Sequence, residues 1–577
     1  MTTQTETDRT WWKEAVVYQI YPRSFLDTTG DGVGDLQGVA ERVDYLDELG
    51  VDVVWLCPVY ESPQADMGYD VSDYRAIDSL FGTMADWEDL RDTLHDRDIR
   101  LVMDQVVNHT SDEHDWFQAS RSSADDSKRD WYHWHPGQAV SEAESPTDGT
   151  DSPGPPDRVP PNNWESFMGG SAWEWDDRTE AYYLHTYHTK QPDLNWANPD
   201  VREAIYEMLR WWLEKGIDGF RLDVVNHLSK PEGYPDGSTD YDWVGTDQFL
   251  NGPRIHEYCR ELSAEVLSEY DAMTIGEMPG IDPDQAASYS ADGLDMTFQF
   301  EHMSLDYGAD GRWDRSEWAL TDLKAVVSKW QRELQGEAWN ALYLGNHDQA
   351  RIVSRFGDDG EYREESAKLL ATFLLTLRGT PHVYQGDEIG MTNADFASLA
   401  ETRDPDTINH VSALMAERDE PYEAFRELVN ARSRDNARTP VQWDDSDHAG
   451  FTDGDPWIGV TDNYTEINVD SARRDPGSVW AHYRELLELR ADTDALVYGE
   501  YELLLPDDPN LYVYRRTLGE KRLLVVLNWS SERVPFTVPD VVSVDDASLL
   551  ISNYGETPPT PADLTLSPYE ACVYDLG

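Results

Sequence analysis

Short apolar runs recur through the first two thirds of the chain, and each is followed by a loop and then by a helical pattern. Between the runs lie amphipathic segments such as Val201–Lys215 and Ala367–Leu377. Alternation of strands with helices predicts a parallel sheet, and eight such strands predict closure into a (β/α)8 TIM barrel. The eight predicted strands are Val16–Pro22, Val53–Pro58, Leu101–Val107, Gly219–Val224, Met273–Met278, Thr297–Phe300, Ala341–Asp348 and Pro381–Gln385.

Two stretches break this alternation. The connection after the third predicted strand is too long for a loop and one helix and is rich in Trp, Tyr, His, Gly and Pro, which predicts an inserted domain. Within it, Gln138–Pro160 is acidic and rich in Pro, Gly and Ser, as is typical of a mobile surface loop. Near the C-terminus the pattern changes to short alternating runs, which predict an antiparallel β-sandwich. We therefore assign residues 1–107 and 195–494 to the barrel, 108–194 to the inserted domain and 495–577 to the sandwich.

The chain is strongly acidic. It has 113 acidic and 46 basic residues, a net charge of −67, and only nine of the basic residues are Lys. Such a charge repels nucleic acid and anionic lipid, so neither is an expected partner. Because the acidic residues are spread along the whole chain, we interpret them as a surface adapted to molar salt, similar to that of halophile proteins. An ordinary acidic enzyme is the alternative.

The cysteines and the N-terminal residues give indications of the cellular location. Cys57, Cys259 and Cys572 lie far apart, which favours neither a disulfide framework nor a metal site. The N-terminal residues lack a basic segment followed by an apolar run, and no stretch reaches 18 apolar residues. The expected location is the cytoplasm, and the sequence does not indicate the oligomeric state.

Polar residues follow several predicted strands, where an active site forms in a barrel of this kind. Asp223 and Glu277 end the fourth and fifth predicted strands, as in GFRLDVVN and TIGEMPG. Strand alternation places Arg221 on the same face as Asp223, and a cation there favours an ionised carboxylate. Two facing carboxyl groups are what retaining glycoside hydrolysis needs: one attacks the anomeric carbon, and the other protonates the leaving oxygen and then activates water.

Two further clusters follow other strands. Asp348 and His347 lie in LGNHDQAR, and DQVVNHTSDEH offers Asp104, Asn108 and His109. A lone Asp or His of this kind is more often a capping Asp or a satisfied buried His, but four clusters at four strand ends of one barrel favour a single site.

These stretches resemble the conserved regions of the α-amylase family of glycoside hydrolases. The motifs GEMPG, QPDLNW, NNWESFMGGSAWEWD and SRDNARTPVQWD are similar to those of its oligo-1,6-glucosidase and α-glucosidase branch. The resemblance covers nearly the whole chain. It implies a retaining exo-α-glucosidase that releases α-glucose from the non-reducing end of short oligosaccharides through a covalent glucosyl-enzyme intermediate.

The resemblance also implies residue roles. It makes Asp223 the nucleophile, Glu277 the general acid/base and Asp348 a transition-state stabiliser. It further implies sugar-binding roles for Asp66, Tyr69, His109, Gln191, Arg221, His347 and Arg438. In this branch the equivalent of Asp66 clamps a terminal glucose in a closed pocket, which favours exo-action.

The chain departs from the branch at a few positions. Gln105 replaces a commoner apolar residue, and Met168 and Tyr187 stand where relatives usually have Phe, near the expected sugar pocket. Val224 follows the nucleophile and is typical of relatives that cleave α-1,6 bonds, whereas relatives restricted to α-1,4 bonds more often have Ala, Gly or Thr. Val224 therefore favours isomaltose-type substrates, with α-1,4 specificity as the alternative.

A run of hard oxygen ligands lies at DTTGDGVGDLQG. Asp27, Thr29, Asp31 and Asp35 alternate with glycines, and Val33 can offer its carbonyl, as in a Ca²⁺ loop. A polar turn without metal is the alternative reading. Because relatives carry a structural Ca²⁺ or Mg²⁺ here, we expect a stabilising metal and no organic cofactor.

Other functions remain open on this scaffold. Trehalose synthesis and sucrose isomerisation are transglucosylations that use the same carboxyl groups. A non-catalytic relative, such as the heavy subunit of amino-acid transporters, is the alternative from a different class. Those subunits carry a membrane anchor and often lose the carboxylates, whereas this chain keeps Asp223, Glu277 and Asp348.

Overall fold

The structure is a computed structural model that describes residues 9–140, 154–241, 243–309 and 311–577. Eight parallel strands form its central sheet, in the order β6-β5-β4-β3-β2-β1-β8-β7. A parallel bridge between Thr297 and Asn340 joins β6 to the start of β7 and closes the barrel. The predicted barrel is therefore confirmed. Its strands are β1 Val17–Ile20, β2 Val53–Leu56, β3 Arg100–Val106, β4 Gly219–Asp223, β5 Met273–Glu277, β6 Met296–Phe298, β7 Ala341–Leu342 and β8 Thr380–Tyr384.

Helices cover the outside of the barrel. The largest one follows β3: Asn198 caps its start through the N–H of Asp200, and Pro199 occupies the first turn, where a missing N–H costs nothing. Its apolar face packs against the strands, which are buried on both faces as parallel strands usually are. The barrel helices are α1 Val43–Leu49, α2 Met84–His95, α3 Pro199–Glu214, α4 Ile255–Glu265, α5 Pro283–Ala291, α6 Leu320–Glu333, α7 Arg363–Thr376 and α8 Val479–Ala491. Further helices include Leu36–Glu41, Asp115–Ser120, Ile352–Phe356, Pro405–Arg418, Arg426–Arg432 and Val469–Arg474.

One strand prediction was wrong in extent. The run Ala341–Asp348 was predicted as a single strand, but β7 ends at Leu342. The chain then leaves the sheet, because His302 Nε2 lies 2.8 Å from the carbonyl of Tyr343 and Asn346 accepts the backbone N–H of Asp348 in a turn. The polar half of the motif is therefore a loop above the barrel.

The insertion after β3 folds around its own small sheet. That sheet is antiparallel and consists of Trp134–His135, Trp173–Asp176 and Ala181–Leu184. Trp164, Trp173 and Tyr182 form its core. Gln138–Ala139 pairs with Arg158–Val159, whereas residues 141–153 of the predicted mobile loop lie outside the described residues.

The C-terminal region contains a five-stranded antiparallel sheet in the order β9-β10-β11-β13-β12, as the alternating pattern predicted. Its strands are β9 Glu500–Leu504, β10 Leu511–Leu518, β11 Lys521–Asn528, β12 Ser548–Ser552 and β13 Ala571–Asp575. A two-stranded pair, Val534–Pro535 with Thr565–Leu566, adds the second layer. Strand β12 was not predicted, because its sequence does not alternate clearly. No helix in the part of the chain that the structure describes is long and apolar enough to cross a membrane.

Candidate active site

One guanidinium group, that of Arg221, contacts three carboxyl groups at the C-terminal ends of the barrel strands. Arg221 on β4 lies beside Asp104 on β3 in the sheet register, so the two side chains share a face. Its Nη1 is 2.7 Å from Asp104 Oδ1 and 2.7 Å from Asp223 Oδ1. Its Nη2 is 2.6 Å from Glu277 Oε2 on β5. One buried arginine therefore holds the three carboxyl groups together.

Glycine permits the close approach of β4 to β5 below this cluster. A Cβ on Gly219 would lie 2.1 Å from the carbonyl oxygen of Met273. Only glycine fits there, and the two strands that carry Asp223 and Glu277 can pair fully.

The cluster has one cation for three carboxyl groups, so burial and like charges act on the pKa of Asp223 and of Asp104 against the charge of Arg221. Burial raises the pKa of Asp223, the charge of Arg221 opposes this, and the nearby Glu277 carboxyl adds to the rise. Burial likewise raises the pKa of Asp104 to about 6 against the charge of Arg221. Arg221 is therefore what favours the ionised form of Asp223.

The backbone after the nucleophile candidate is strained. Val224 has φ +37° and ψ +44°, a left-handed conformation that is unfavourable for a β-branched residue. In this conformation its N–H donates to Glu277 Oε2 across 3.2 Å. The Val224 N–H is therefore one more donor to the Glu277 carboxylate, and the Val224 side chain lines the cavity.

Asp348 is held by two arginines and a histidine. Its Oδ1 lies 2.8 Å from Arg438 Nη2 and 3.2 Å from Arg434 Nη1, and its Oδ2 lies 3.2 Å from His347 Nε2. Burial alone would raise the pKa of Asp348, but His347, Arg434 and Arg438 hold it well below its usual range. Asp348 is therefore an anion at neutral pH.

His347 is a neutral donor. Gln19 Nε2 lies 2.8 Å from its Nδ1, so an amide that donates there leaves the proton on Nε2. Burial lowers the pKa of His347 to about 3, which keeps the ring uncharged. The ring also stacks on Tyr69 with a centroid distance of 5.3 Å.

Gln191, Asp66 and His109 form a second cluster of polar side chains. Gln191 Nε2 is 3.1 Å from Asp66 Oδ2 and 3.1 Å from His109 Nε2. Burial lowers the pKa of His109 to about 4, so this ring is neutral as well. Tyr69 donates to Asp104 across 2.9 Å and links the group to the Arg221 cluster. Asp66 Oδ1, which is buried, accepts no hydrogen bond from the described residues.

A buried lysine ties the insertion to the catalytic loop. Lys230 Nζ lies 2.7 Å from Asp193 Oδ2, 2.9 Å from Asn108 Oδ1 and 2.6 Å from the His227 carbonyl. Asp193 bridges to His109 in the sheet pairing. Lys230 therefore fixes the insertion, and with it His109, against the loop after β4.

Five of the sequence-predicted residues line one cavity of about 460 Å³, whereas Asp223 is not among the lining residues and is connected to Glu277 there through Arg221. Glu277, Asp348 and Val224 line it, as do the two departures Met168 and Tyr187. Gln105 does not: it donates to the Tyr60 hydroxyl across 2.6 Å, on the face of β3 away from Asp104. The other predicted binding residues lie in the contact network beneath the cavity: Asp66, Tyr69, His109, Gln191, Arg221, His347 and Arg438.

Sequence reasoning missed several residues of this cavity. Arg434 pairs with Asp348 and also lies 2.7 Å from Asp404, yet only Arg438 of the same motif had been singled out. Arg312, on the hairpin strand Gly311–Arg315, lies 3.3 Å from Asp406. Arg434 could have been found from its spacing of four residues from Arg438 on one helical turn. The hairpin gave no comparable signal.

The predicted metal loop is closed by hydrogen bonds within the loop and by one from Thr452. Asp27 accepts from the backbone of Thr29, Gly30 and Gly32 at 2.8–2.9 Å and from the Thr452 hydroxyl at 2.5 Å. Asp35 caps the helix Leu36–Glu41 through the N–H of Gly38.

Two further predicted ligands show the same local bonding. Asp31 accepts the N–H of Val33. Over the described residues, no group of three or more His, Cys, Asp or Glu side chains is arranged to hold a metal ion. These contacts account for the loop without a metal, and calcium or magnesium binding stays a prediction.

Comparison with known proteins identifies the scaffold. Residues 19–499 match the family described as "Alpha amylase, catalytic domain", and residues 511–573 match the "Alpha-amylase SusG C-terminal domain". The chain belongs to the alpha-amylase family. The resemblance seen in the sequence motifs is thereby confirmed, and with it the prediction of a glycoside hydrolase.

Relatives of this family cover the whole chain. It is 52% identical to an oligo-1,6-glucosidase of Parageobacillus thermoglucosidasius, over 99% of both chains. A solved trehalose-6-phosphate hydrolase of Bacillus licheniformis is 46% identical, with a TM-score of 0.90 over 99% of this chain and 100% of that one. An isomaltulose synthase of Erwinia rhapontici NX5 is 42% identical, with a TM-score of 0.93 over the same shares.

Proposed function

We propose that this family member is a retaining exo-α-glucosidase that prefers short α-1,6-linked gluco-oligosaccharides. The observation that carries the proposal is the contact of one guanidinium, that of Arg221, with both Asp223 and Glu277. Carboxyl groups bridged in this way are close to each other, as in retaining enzymes, where they lie about 5–5.5 Å apart. Asp223 attacks the anomeric carbon, and Glu277 protonates the leaving oxygen and then activates water.

The polar network beneath the cavity fits a terminal glucose. Asp66 Oδ1 and His347 Nε2 are buried and form no well-directed hydrogen bond within the described residues. Both contact charged groups: Arg434 lies 3.6 Å from Asp66 Oδ1, and Asp348 lies 3.2 Å from His347 Nε2. Both atoms therefore keep hydrogen-bonding capacity for the hydroxyl groups of a bound sugar. The Asp348 carboxylate supplies fixed negative charge for the cationic transition state. A pocket closed by such groups accepts a chain end and not a chain interior.

The same cavity does not favour a phosphorylated disaccharide. Among the described lining residues, the cationic groups are Arg312 and Arg434, and both are paired with carboxylates. Asp240 and Asp406 add negative charge to the lining. We infer neutral sugars as substrates, in contrast to the trehalose-6-phosphate hydrolase among the relatives.

One assay tests the proposal. The protein is given isomaltose, maltose, sucrose, trehalose and trehalose 6-phosphate in concentrated KCl, and the first products are followed by proton NMR. We expect α-glucose from isomaltose as the first product. β-Glucose as first product would overturn the retaining assignment, and sugar isomers from sucrose without free glucose would favour the transglucosidase alternative.

Linkage preference is expected to depend on Val224. Its branched side chain lines the cavity and crowds a ring that is attached through a secondary oxygen, whereas the extra methylene of a 6-linkage moves the ring clear. Contacts of this size are worth about 1–3 kcal/mol, so Val224→Ala should raise the maltose-to-isomaltose ratio of kcat/KM roughly 5- to 160-fold. Val225→Ala is the matched control, because Val225 is fully buried outside the cavity lining. An unchanged ratio in Val224→Ala would discard the steric account.

The acidic surface is proposed to require salt. At 0.01 M salt the Debye length is about 30 Å, so the charges of a chain at −67 repel one another across the molecule. The melting temperature and the activity should both rise as KCl increases to the molar range. TMAO at equal osmolality is the control, since it stabilises without screening charge and is not a sugar. Equal stability with and without salt contradicts the proposal. A cytoplasmic location stays a prediction.

Metal binding at the Asp27–Asp35 loop is proposed on its ligand chemistry alone. Hard oxygen donors at alternating positions suit Ca²⁺, and exposed Asp31 uses only one oxygen, on Val33. Calcium added to chelator-treated protein should raise its stability by about 2.7 kcal/mol at 100 times the Kd. Asp31→Asn should lose this gain, whereas Asp89→Asn on the exposed side of α2 should keep it. A melting temperature that ignores calcium argues against the site.

A further inference from the structure

Several cations gather around one loop at the opposite end of the barrel from the active site. The loop joins α7 to β8 and contains Arg378. Arg490, near the end of α8, donates from Nη1 to the Leu377 carbonyl at 3.2 Å and from Nη2 to the Gly379 carbonyl at 2.6 Å. The carbonyls on both sides of Arg378 are therefore bound by a second arginine.

A third arginine reaches the same place from the C-terminal sheet. Arg516 on β10 donates to the carbonyl of Thr376, the last residue of α7. It also donates to the Gly499 carbonyl across 2.9 Å. Arg490 and Arg516 are buried and cap carbonyls that the end of a helix leaves without partners.

No guanidinium group of this set contacts a carboxylate directly among the described residues, although the charge of Asp52 raises the pKa of Arg490 against the effect of burial. Arg378, Arg490 and Arg516 form no ion pair with any described residue, and Lys13 nearby forms none either. Burial lowers the pKa of Arg490 to about 10 and that of Arg516 to about 9. In a chain with 113 acidic and 46 basic residues, a group of cations without direct ion pairs is notable.

The group opens onto a cleft of about 540 Å³ between the barrel and the C-terminal sheet. Lys13 and Arg378 line it beside Trp339, with their cationic groups 5.5 Å and 4.5 Å from the indole centroid. Glu500 is the only carboxylate among the described lining residues; it is exposed and forms no ion pair. Thr517 adds a hydroxyl to the lining.

We propose that this cleft binds a small multivalent oxyanion, with phosphate as the group recognised. Lys13 and Arg378 would contact the anion directly, and the buried charges of Arg490 and Arg516 would attract it from behind. A phosphate offers several acceptor oxygens to the planar fork of an arginine and to a lysine ammonium. The cleft is in the size range of small-molecule sites, so it has room for a phosphorylated sugar as well as for free phosphate.

The experiment is isothermal titration of the whole protein with inorganic phosphate and, separately, with glucose 6-phosphate, in KCl of constant ionic strength. We expect saturable binding of one anion per chain. Arg378→Gln should weaken it at least tenfold, and Lys13→Gln should weaken it as well. Arg533→Gln is the matched control, because it makes the same charge change at an exposed arginine outside the cleft.

Each outcome of the titration either supports or overturns anion binding in the cleft. Tighter binding of glucose 6-phosphate than of phosphate shows that the cleft also holds the sugar, and equal binding shows an oxyanion site alone. Lys13→Gln tests the proposal independently if Arg378→Gln lowers the melting temperature. Absence of saturable heat with either anion overturns it, as does equal weakening by Arg533→Gln. Hydrolysis of oligosaccharides is not needed for this test, so its result is separate from that of the proposed activity.

Discussion

Asp223→Asn is expected to lower kcat by about four orders of magnitude or more while sugar binding persists. The amide keeps the shape of the side chain but removes the nucleophile, and loss of a catalytic nucleophile typically has an effect of this size. The measurements are turnover of isomaltose and calorimetric binding of the same sugar. Asp240→Asn makes the same chemical change at an exposed position of the cavity lining and should cost less than tenfold.

Azide makes this test more specific. With Asp223→Ala, azide can attack the anomeric carbon from the face that the missing carboxylate vacates, so activity should return with β-glucosyl azide as product. If Asp223→Asn keeps more than about one per cent of wild-type kcat, or Asp240→Asn loses as much as Asp223→Asn, the nucleophile has been assigned wrongly.

Glu277→Gln should slow isomaltose hydrolysis by about 10²- to 10⁴-fold, the usual contribution of general acid–base catalysis. A substrate with a good leaving group, such as nitrophenyl α-glucoside, needs no protonation of the leaving oxygen. Its first step should remain fast, so the glucosyl-enzyme accumulates and nitrophenol appears in a burst. Rapid-mixing absorbance measures this burst.

The azide product again separates the two roles. With Glu277→Ala, azide should intercept the glucosyl-enzyme and give α-glucosyl azide, because two displacements retain configuration. Equal slowing of isomaltose and nitrophenyl α-glucoside, without a burst, would show that Glu277 is not the acid. If Asp223→Ala gave α-glucosyl azide and Glu277→Ala gave β-glucosyl azide, the roles of Asp223 and Glu277 would be reversed.

Much of the fold was predictable because its elements are local. Continuous apolar runs mark the buried parallel strands, and the amphipathic pattern of Val201–Lys215 marks most of α3. The shared face of Arg221 and Asp223 followed from strand alternation and is confirmed by their 2.7 Å contact. The remaining predicted site residues came from the resemblance to the α-amylase family.

What could not be predicted depends on contacts between distant parts of the chain. Nothing near Leu342 in the sequence shows that β7 ends there, since the turn that follows is fixed by His302 and Asn346. The pairing of Arg434 with Asp348 spans 86 residues. The left-handed backbone at Val224 is likewise invisible in sequence, because a β-branched residue is the least expected one there.

The long separation between Asp348 and the two arginines that hold it has a consequence for synthesis. A ribosome-bound chain that has emerged only as far as β8 carries Asp223, Glu277 and Asp348 but not Arg434 or Arg438. Asp348 would then be an uncompensated charge in a half-formed site, and an ion left buried without its partner is strongly destabilising. The nascent barrel therefore cannot complete its catalytic centre early, and hydrolytic activity becomes a measure of how many chains have been translated past residue 438 and folded.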